Sequence, residues 1–151
     1  MLYQQRPYQP PETERELAEL AEEAVKVFRE ENPEAYEELV KAFNGKSVDL
    51  AVLGHGRFHV SLETADLSIE PGRVRGKGST GRGAIAPETL LAITEGKLTP
   101  LEAFFKGDLI ARASSEELHQ TYDYFVKFSD AALRSERLQE LLGRFREITK
   151  V

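Results

Sequence analysis

The chain has 151 residues, with 26 Asp and Glu against 20 Lys and Arg for a formal net charge of −6, and it contains no cysteine. That length fits one domain able to bury roughly 68–70% of its unfolded surface, and the missing cysteines exclude a disulfide framework, a cysteine-held zinc and thiol redox chemistry. No stretch approaches the roughly 18 consecutive apolar residues of a bilayer-spanning helix, the N-terminus lacks the apolar run of a signal peptide, and the C-terminal Ile-Thr-Lys-Val is not a peroxisomal address, so a cytoplasmic protein is expected.

Residues 1–11 read as a flexible lead, since Pro7, Pro10 and Pro11 favour extended backbone, and 12–151 read as a single domain. From Glu12 the pattern turns helical, with Leu17, Leu20, Ala21, Ala24 and Phe28 on one face and glutamates opposite. Asn32 and Pro33 restart a helix that carries Tyr36, Leu39, Val40 and Phe43 on one side and stops at Asn44-Gly45. Residues 1–42 hold 11 carboxylates against 5 Arg or Lys, which already accounts for the whole net charge of −6. The remainder of the chain is therefore balanced.

The period then changes to two. Val48, Leu50 and Val52 alternate with Ser47, Asp49 and Ala51, and Phe58, Val60 and Leu62 alternate with Arg57, His59, Ser61 and Glu63. Gly54-His55-Gly56 between them predicts an antiparallel hairpin. A third strand is expected around Leu67–Glu70, ending at Pro71-Gly72, and a fourth around Val74 or at Gly83–Ala86. The stretch Gly72–Gly83 carries Arg73, Arg75, Lys77 and Arg82 without an acid or an aromatic, and reads as a solvated loop, so no nucleic-acid partner is expected. Its Gly76-Lys77-Gly78-Ser79-Thr80-Gly81 satisfies G-x-G-x-x-G, but loop and strand rather than a helix N-terminus follow, so the amides are not aimed at a pyrophosphate.

Two short apolar helices come next. Pro87 opens the first, which carries Leu90, Leu91 and Ile93 and stops at Gly96. Thr99 caps the second, with Pro100 in its first position, Leu101, Phe104 and Phe105 at one-face spacing, and Gly107 at its end. Asp108–Ala113 runs on as a strand. Ser114 with Glu117 forms a capping box for a helix bearing Leu118, Tyr122 and Phe125, and Ser135 caps a last helix with Leu138, Leu141, Leu142, Phe145 and Ile148 in register. The fold class that follows is α+β: a single antiparallel sheet of four to five strands, helices packed on one face, and extra C-terminal helices. Helices in 12–44, a sheet with short helices in 45–113 and a helical extension in 114–151 make up the domain.

Chemical motifs are scarce. His55 falls in a glycine turn, His59 on the expected solvent face of a strand and His119 far along the chain, so none belongs to a metal-ligand pattern and all read as surface histidines. No G-x-S-x-G is present, and nothing in the spacing of Glu102 and Asp108, or of Glu117 and His119, demands acid–base chemistry. No catalytic residue, metal or cofactor is expected. The apolar set Phe58, Val60, Leu62, Leu90, Leu91, Ile93, Leu101, Phe104, Phe105, Tyr122 and Phe125 is the remaining candidate site, although on composition alone an ordinary filled core describes it better.

The run from Pro87 to Leu109, a helix followed by Gly-x-Leu-x-Pro, Ala-Phe and Gly, resembles the signature of the sterol carrier protein 2 lipid-binding family, and the resemblance extends over about Gly45–Ala113. It implies a sheet layered with helices around an apolar tunnel that holds fatty acid, acyl-CoA or sterol without a covalent cofactor. By resemblance, Leu90, Leu91, Ile93, Leu101, Phe104 and Phe105 line or roof that cavity and Phe58, Val60 and Leu62 form its floor. The chain departs from the pattern after Ala113, where Ser114-Ser115-Glu116-Glu117 replaces a glycine-bearing turn, and in its long helical tail. That tail has three expected uses: to plug the cavity, to build its far wall, or to join two subunits. The expected function is reversible carriage of an apolar small molecule, with membrane contact at most transient. Two alternatives stay open: a homodimerising interaction module with a filled interior, and an enzyme that uses the cavity through Glu117, His119 or Tyr122.

Overall fold

Prolines, caps and glycines set the element boundaries of the computed structural model, which describes residues 12–63, 66–72 and 81–151. The expected N-terminal lead and most of the basic glycine-rich stretch, including Val74 and the G-x-G-x-x-G pattern up to Thr80, lie outside the described residues. Helix α1 spans Glu12–Glu31 and α2 Pro33–Phe43; strands β1 Ser47–Val52, β2 Gly56–Glu63, β3 Asp66–Pro71 and β4 Gly81–Ile85 follow, then α3 Pro87–Thr94, α4 Pro100–Lys106, β5 Leu109–Arg112, α5 Ser115–Arg134 and α6 Glu136–Thr149. The hydroxyls of Thr99, Ser114 and Ser135 accept from the amides of Glu102, Glu117 and Leu138 at 3.1, 3.2 and 3.1 Å, so all three expected caps form. Asn32 makes no side-chain cap, and α2 starts instead on the preset φ of Pro33.

The five strands form one sheet in the order β3-β2-β1-β4-β5. Pairing is antiparallel except between β1 and β4, which run parallel with Val48 opposite Gly81 and Val52 opposite Ile85. The architecture is thus α+β as expected, but the sheet is mixed rather than wholly antiparallel. The strand order contains a crossover: β3 and β4 both run in the sense of β1, and β4 takes the edge of β1 that β2 leaves free. Alternation within each strand carries no information about which neighbour it takes.

Register places Val48, Leu50, Val52, Phe58, Val60, Leu62, Leu67, Ile69, Ile85 and Leu109 on one face of the sheet. Helix α1 packs on that face over β2 and β3. Its first turn is anchored by Glu14, a buried carboxylate that accepts from the Arg57 amide at 2.9 Å. The anchor requires a glycine at position 56, whose φ is +147° and where a Cβ would stand 2.4 Å from Glu14 Cγ.

The densest core lies among the helices. Leu17, Leu20, Val27 and Phe28 of α1 meet Leu138, Leu141 and Phe145 of α6, with Tyr36, Ala131, Ala132, Val52 and Leu91 completing the cluster. The rings of Phe28 and Phe128 meet at 5.9 Å and those of Phe43 and Tyr124 edge-on at 5.4 Å, which seats α5 against α1 and α2. Thr94, fully buried at the end of α3, offers its carbonyl to Gln139 of α6. Next to it, Glu95 accepts from Arg146 and lies 2.9 Å from Lys97.

Phe145→Ala is expected to cost about 3–5 kcal/mol in denaturant unfolding, because the ring is buried where α1 and α6 meet, whereas Leu133→Ala, half exposed, should stay within about 0.5 kcal/mol. The Lys97 hydrogen bond, outweighing partial desolvation and helped by the charges of Lys97 and Arg146, holds the Glu95 carboxyl below its ordinary 4.5. A depressed folded-state value contributes stability above the unfolded one and loses it as pH falls. Unfolding midpoints of Glu95→Gln should therefore lie slightly below wild type at pH 7, and the gap should close once pH drops below 4.5.

Candidate functional site

Side chains of the inner sheet face are large, apolar and only half-buried. Val48 and Leu50 of β1, Phe58 and Val60 of β2, Ile85 of β4 and Leu109 of β5 all retain accessible surface, although the same face is buried at Val52, Leu62 and Ile69. Strand β4 is recessed, because Gly81 and Gly83 leave no side chain beside Val48 and Leu50. A Cβ on Gly83 would meet Leu50 Cδ2 at 3.0 Å, and one on Gly81 would meet Val48 Cγ1 at 3.2 Å. Opposite Gly83 on β5 stands only Ala111. These glycines deepen the floor and let its aliphatic neighbours lean over β4.

Helices α3 and α5 carry the remaining candidates outside α4. Leu90 and Leu91 join the cluster that holds Val52 and Phe58. Leu118, Tyr122 and Phe125 follow one another on one face of α5, are half-buried, and belong to a helix packed on α3 and α4. Of the eleven candidate residues, Phe58, Val60, Leu90, Tyr122 and Phe125 are thus half-buried, while Leu62, Leu91 and Ile93 are closed off at 2%, 4% and 2% exposure. Leu101, Phe104 and Phe105 are on the surface at 49%, 47% and 78%, so the expectation that they roof an interior is corrected. Helix α4 is held by its small residues: Pro100 and Ala103 are the two it buries. With only two turns, its large side chains fall on the side away from that anchor.

Sequence reasoning did not assign Val48, Leu50, Gly81, Gly83, Ile85 and Leu109 to this surface. The alternation in β1 was a usable signal for the first two. The glycines could be placed only by the parallel pairing of β4 with β1.

Among the described residues, two of the open surface hollows are lined by none of the eleven candidates. One of about 490 Å³ lies at the α5–α6 corner against Leu133, Arg134, Ser135, Glu136, Gln139 and Glu140. The other, of about 330 Å³, lies at the β1–β2 turn beside Glu14, His55 and Arg57.

The outer face of the sheet is polar, and a charged row crosses all five strands: Glu70, His59, Asp49, Arg82 and Arg112 stand in register. His59, expected on a solvated face, is buried at 1% exposure. Its Nδ1–H donates to Asp49 Oδ1 at 2.8 Å, the only sense available with a carboxylate acceptor, and Nε2 is buried without a hydrogen-bond partner among the described residues. The residues weighed for acid–base chemistry are dispersed: His119 is 80% exposed beside Asp123, Glu117 pairs with Lys46 at 3.7 Å, and Glu102 and Asp108 are exposed. Among the described residues, no cluster of His, Cys, Asp or Glu could hold a metal ion, and no helix is long and apolar enough to cross a membrane.

No family model matches the chain, and no curated protein is significantly similar to it. Solved structures are. The sterol carrier protein domain 2 of Helicoverpa armigera superposes with TM-score 0.56 at 12% identity, over 85% of this chain and 97% of that one. A crystal structure of sterol carrier protein 2 gives 0.51 at 18% identity over 76% and 93%, and the apo form from Yarrowia lipolytica 0.50 at 13% over 79% and 91%. A sec-alkylsulfatase from Pseudomonas sp. matches at TM-score 0.44 and 15% identity over 56% of this chain, which spans only 14% of that longer protein. At these identities the likeness speaks for the fold.

Asp49→Ala removes the acceptor of a buried ring and should cost about 1–3 kcal/mol in urea unfolding, and the double variant with His59→Ala should lose less than the sum of the two single variants because the two side chains share a hydrogen bond.

Proposed function

With the sterol carrier protein 2 fold as premise, we propose that this chain binds a long apolar molecule, such as a fatty acid, acyl-CoA or sterol-like lipid, reversibly between the inner sheet face and helices α3 and α5. The observation that carries the reading is the half-burial of Val48, Leu50, Phe58, Val60, Ile85 and Leu109 beside a helical core that closes on itself. Large aliphatic side chains under a helical layer are ordinarily closed off; here they keep surface that an apolar guest would remove from water, at about 25 cal/mol per Å². The glycine recess of β4 gives such a guest depth. Affinity comes from shape and desolvation, with no bond made or broken and no cofactor required, in keeping with the dispersal of Glu102, Asp108, Glu117 and His119. We place the activity in the cytoplasm. The apolar stripe of α6, considered above as a dimer contact, is turned toward α1 within the same chain, and this favours the far-wall role for the tail.

A delipidated sample titrated with a fluorescent fatty acid should show saturable uptake. Gly83→Val, at a position where φ is ordinary and the nearest obstacle is the mobile end of Leu50, should keep the circular dichroism of the wild type and lose about tenfold or more in probe affinity. Non-saturable uptake by the wild type, or equal affinity in the variant, would overturn the assignment.

A further inference from the structure

Helix α4 is turned inside out relative to its composition. It buries Pro100 and Ala103 and shows Leu101, Phe104 and Phe105 to solvent. This exposure is built in rather than frayed: Thr99 caps the N-terminus, Gly107 takes a left-handed φ of +80°, and the amides of Gly107 and Asp108 bond back to Phe104 and Ala103 at 3.1 and 3.0 Å. The two phenylalanine rings meet edge to face at 6.1 Å. The helix packs on β5, an edge strand whose Ile110 is 48% exposed on the outer face.

Taking 150–250 Å² for a whole aromatic side chain, the exposed apolar area is on the order of 400 Å². That is about half of the roughly 800 Å² per partner that a stable protein interface buries. A fluid lipid surface needs no matching partner area, because acyl chains conform to a protruding apolar knob. The charged flanks of the helix are balanced, with Lys106 and Arg112 against Glu102 and Asp108, while the chain as a whole carries −6. Insertion therefore has to be hydrophobic, and an anionic surface would repel the rest of the molecule.

We propose that the α4 knob of Leu101, Phe104 and Phe105 is the surface by which the protein docks on a zwitterionic lipid bilayer to load and unload its cargo. The inference rests on the carrier reading for its purpose, and α4 is well placed for it, packed on β5 and α5, which border the inner face.

Flotation of the full chain with phosphatidylcholine vesicles tests it. Wild type should partition, Phe104→Ser combined with Phe105→Ser should lose about tenfold or more, and Leu53→Ser, at a 43% exposed leucine on the β1–β2 turn, should match wild type. Adding phosphatidylglycerol should weaken partition or leave it unchanged. Phe105→Lys, at the most exposed of the three, repeats the test should the double variant fold poorly. Equal partition of wild type and variants, or none by wild type, overturns the docking surface. A wild-type dimer in sedimentation that the double variant abolishes assigns the knob to a second copy and overturns it as well. Fatty-acid uptake, measured in parallel without vesicles, should be unchanged in the double variant. Absent uptake with intact flotation removes the carrier reading and leaves the surface standing, whereas intact uptake without flotation does the reverse.

Discussion

The helical layer closes on itself, and the looseness elsewhere depends on this. Leu17, Leu20, Val27 and Phe28 of α1 share one cluster with Leu138, Leu141 and Phe145 of α6, and Val52 is the buried sheet residue that joins it. A helix packed across β2 and β3 and held from behind by another helix does not need to settle over β1, β4 and β5 to bury its stripe. The sheet is left with an apolar face only partly covered at Val48, Leu50, Ile85 and Leu109. The inner sheet face thus stays half-buried at these positions, and the glycines of β4 leave it without side chains beside Val48 and Leu50.

Directional polar contacts fix the helices at two points, one tying α1 to the sheet and the other tying α6 to α3. Glu14 reaches from α1 to the backbone of β2 at a position that only glycine fits, and Gln139 ties α6 to the buried end of α3. A carboxylate on a strand amide and an amide on a helix carbonyl are directional, so they constrain the orientation of the helices they join. On the outer face, the row from Glu70 to Arg112 sets Asp49 between His59 and Arg82, pairs Arg82 with the like-charged Arg112, and buries His59 against Asp49 in the middle of the sheet.

Burial and exposure are exchanged at two points where pattern reading places residues by type. His59 occupies a polar-face position and is closed off; Phe105 occupies an apolar position and is open. In the first case the cause is pairing, since the hydrogen bond to Asp49 satisfies one nitrogen of the buried ring. In the second it is length, since a helix of seven residues can bury one narrow side, and the side with Ala103 is the one close enough to β5 and α5. Neither pairing partner nor available depth is written in local periodicity.

From the chain alone one could read the element order, the caps at Thr99, Ser114 and Ser135, the helix stop at Gly107, the hairpin at Gly54–Gly56, the α+β class and the likeness to the sterol carrier protein 2 fold, because each rests on interactions within a few residues or on a contiguous signature. The faces that carry Phe58, Val60, Leu90, Tyr122 and Phe125 were legible for the same reason, since alternation or helical spacing defines them. Tertiary structure alone decided that β4 joins β1 in parallel, that Gly81 and Gly83 therefore recess the floor, that α6 closes on α1, and that Leu101, Phe104 and Phe105 face outward. Those outcomes are settled by competition among distant surfaces for the same partners, and a local pattern records what a segment can bury, never which competitor wins.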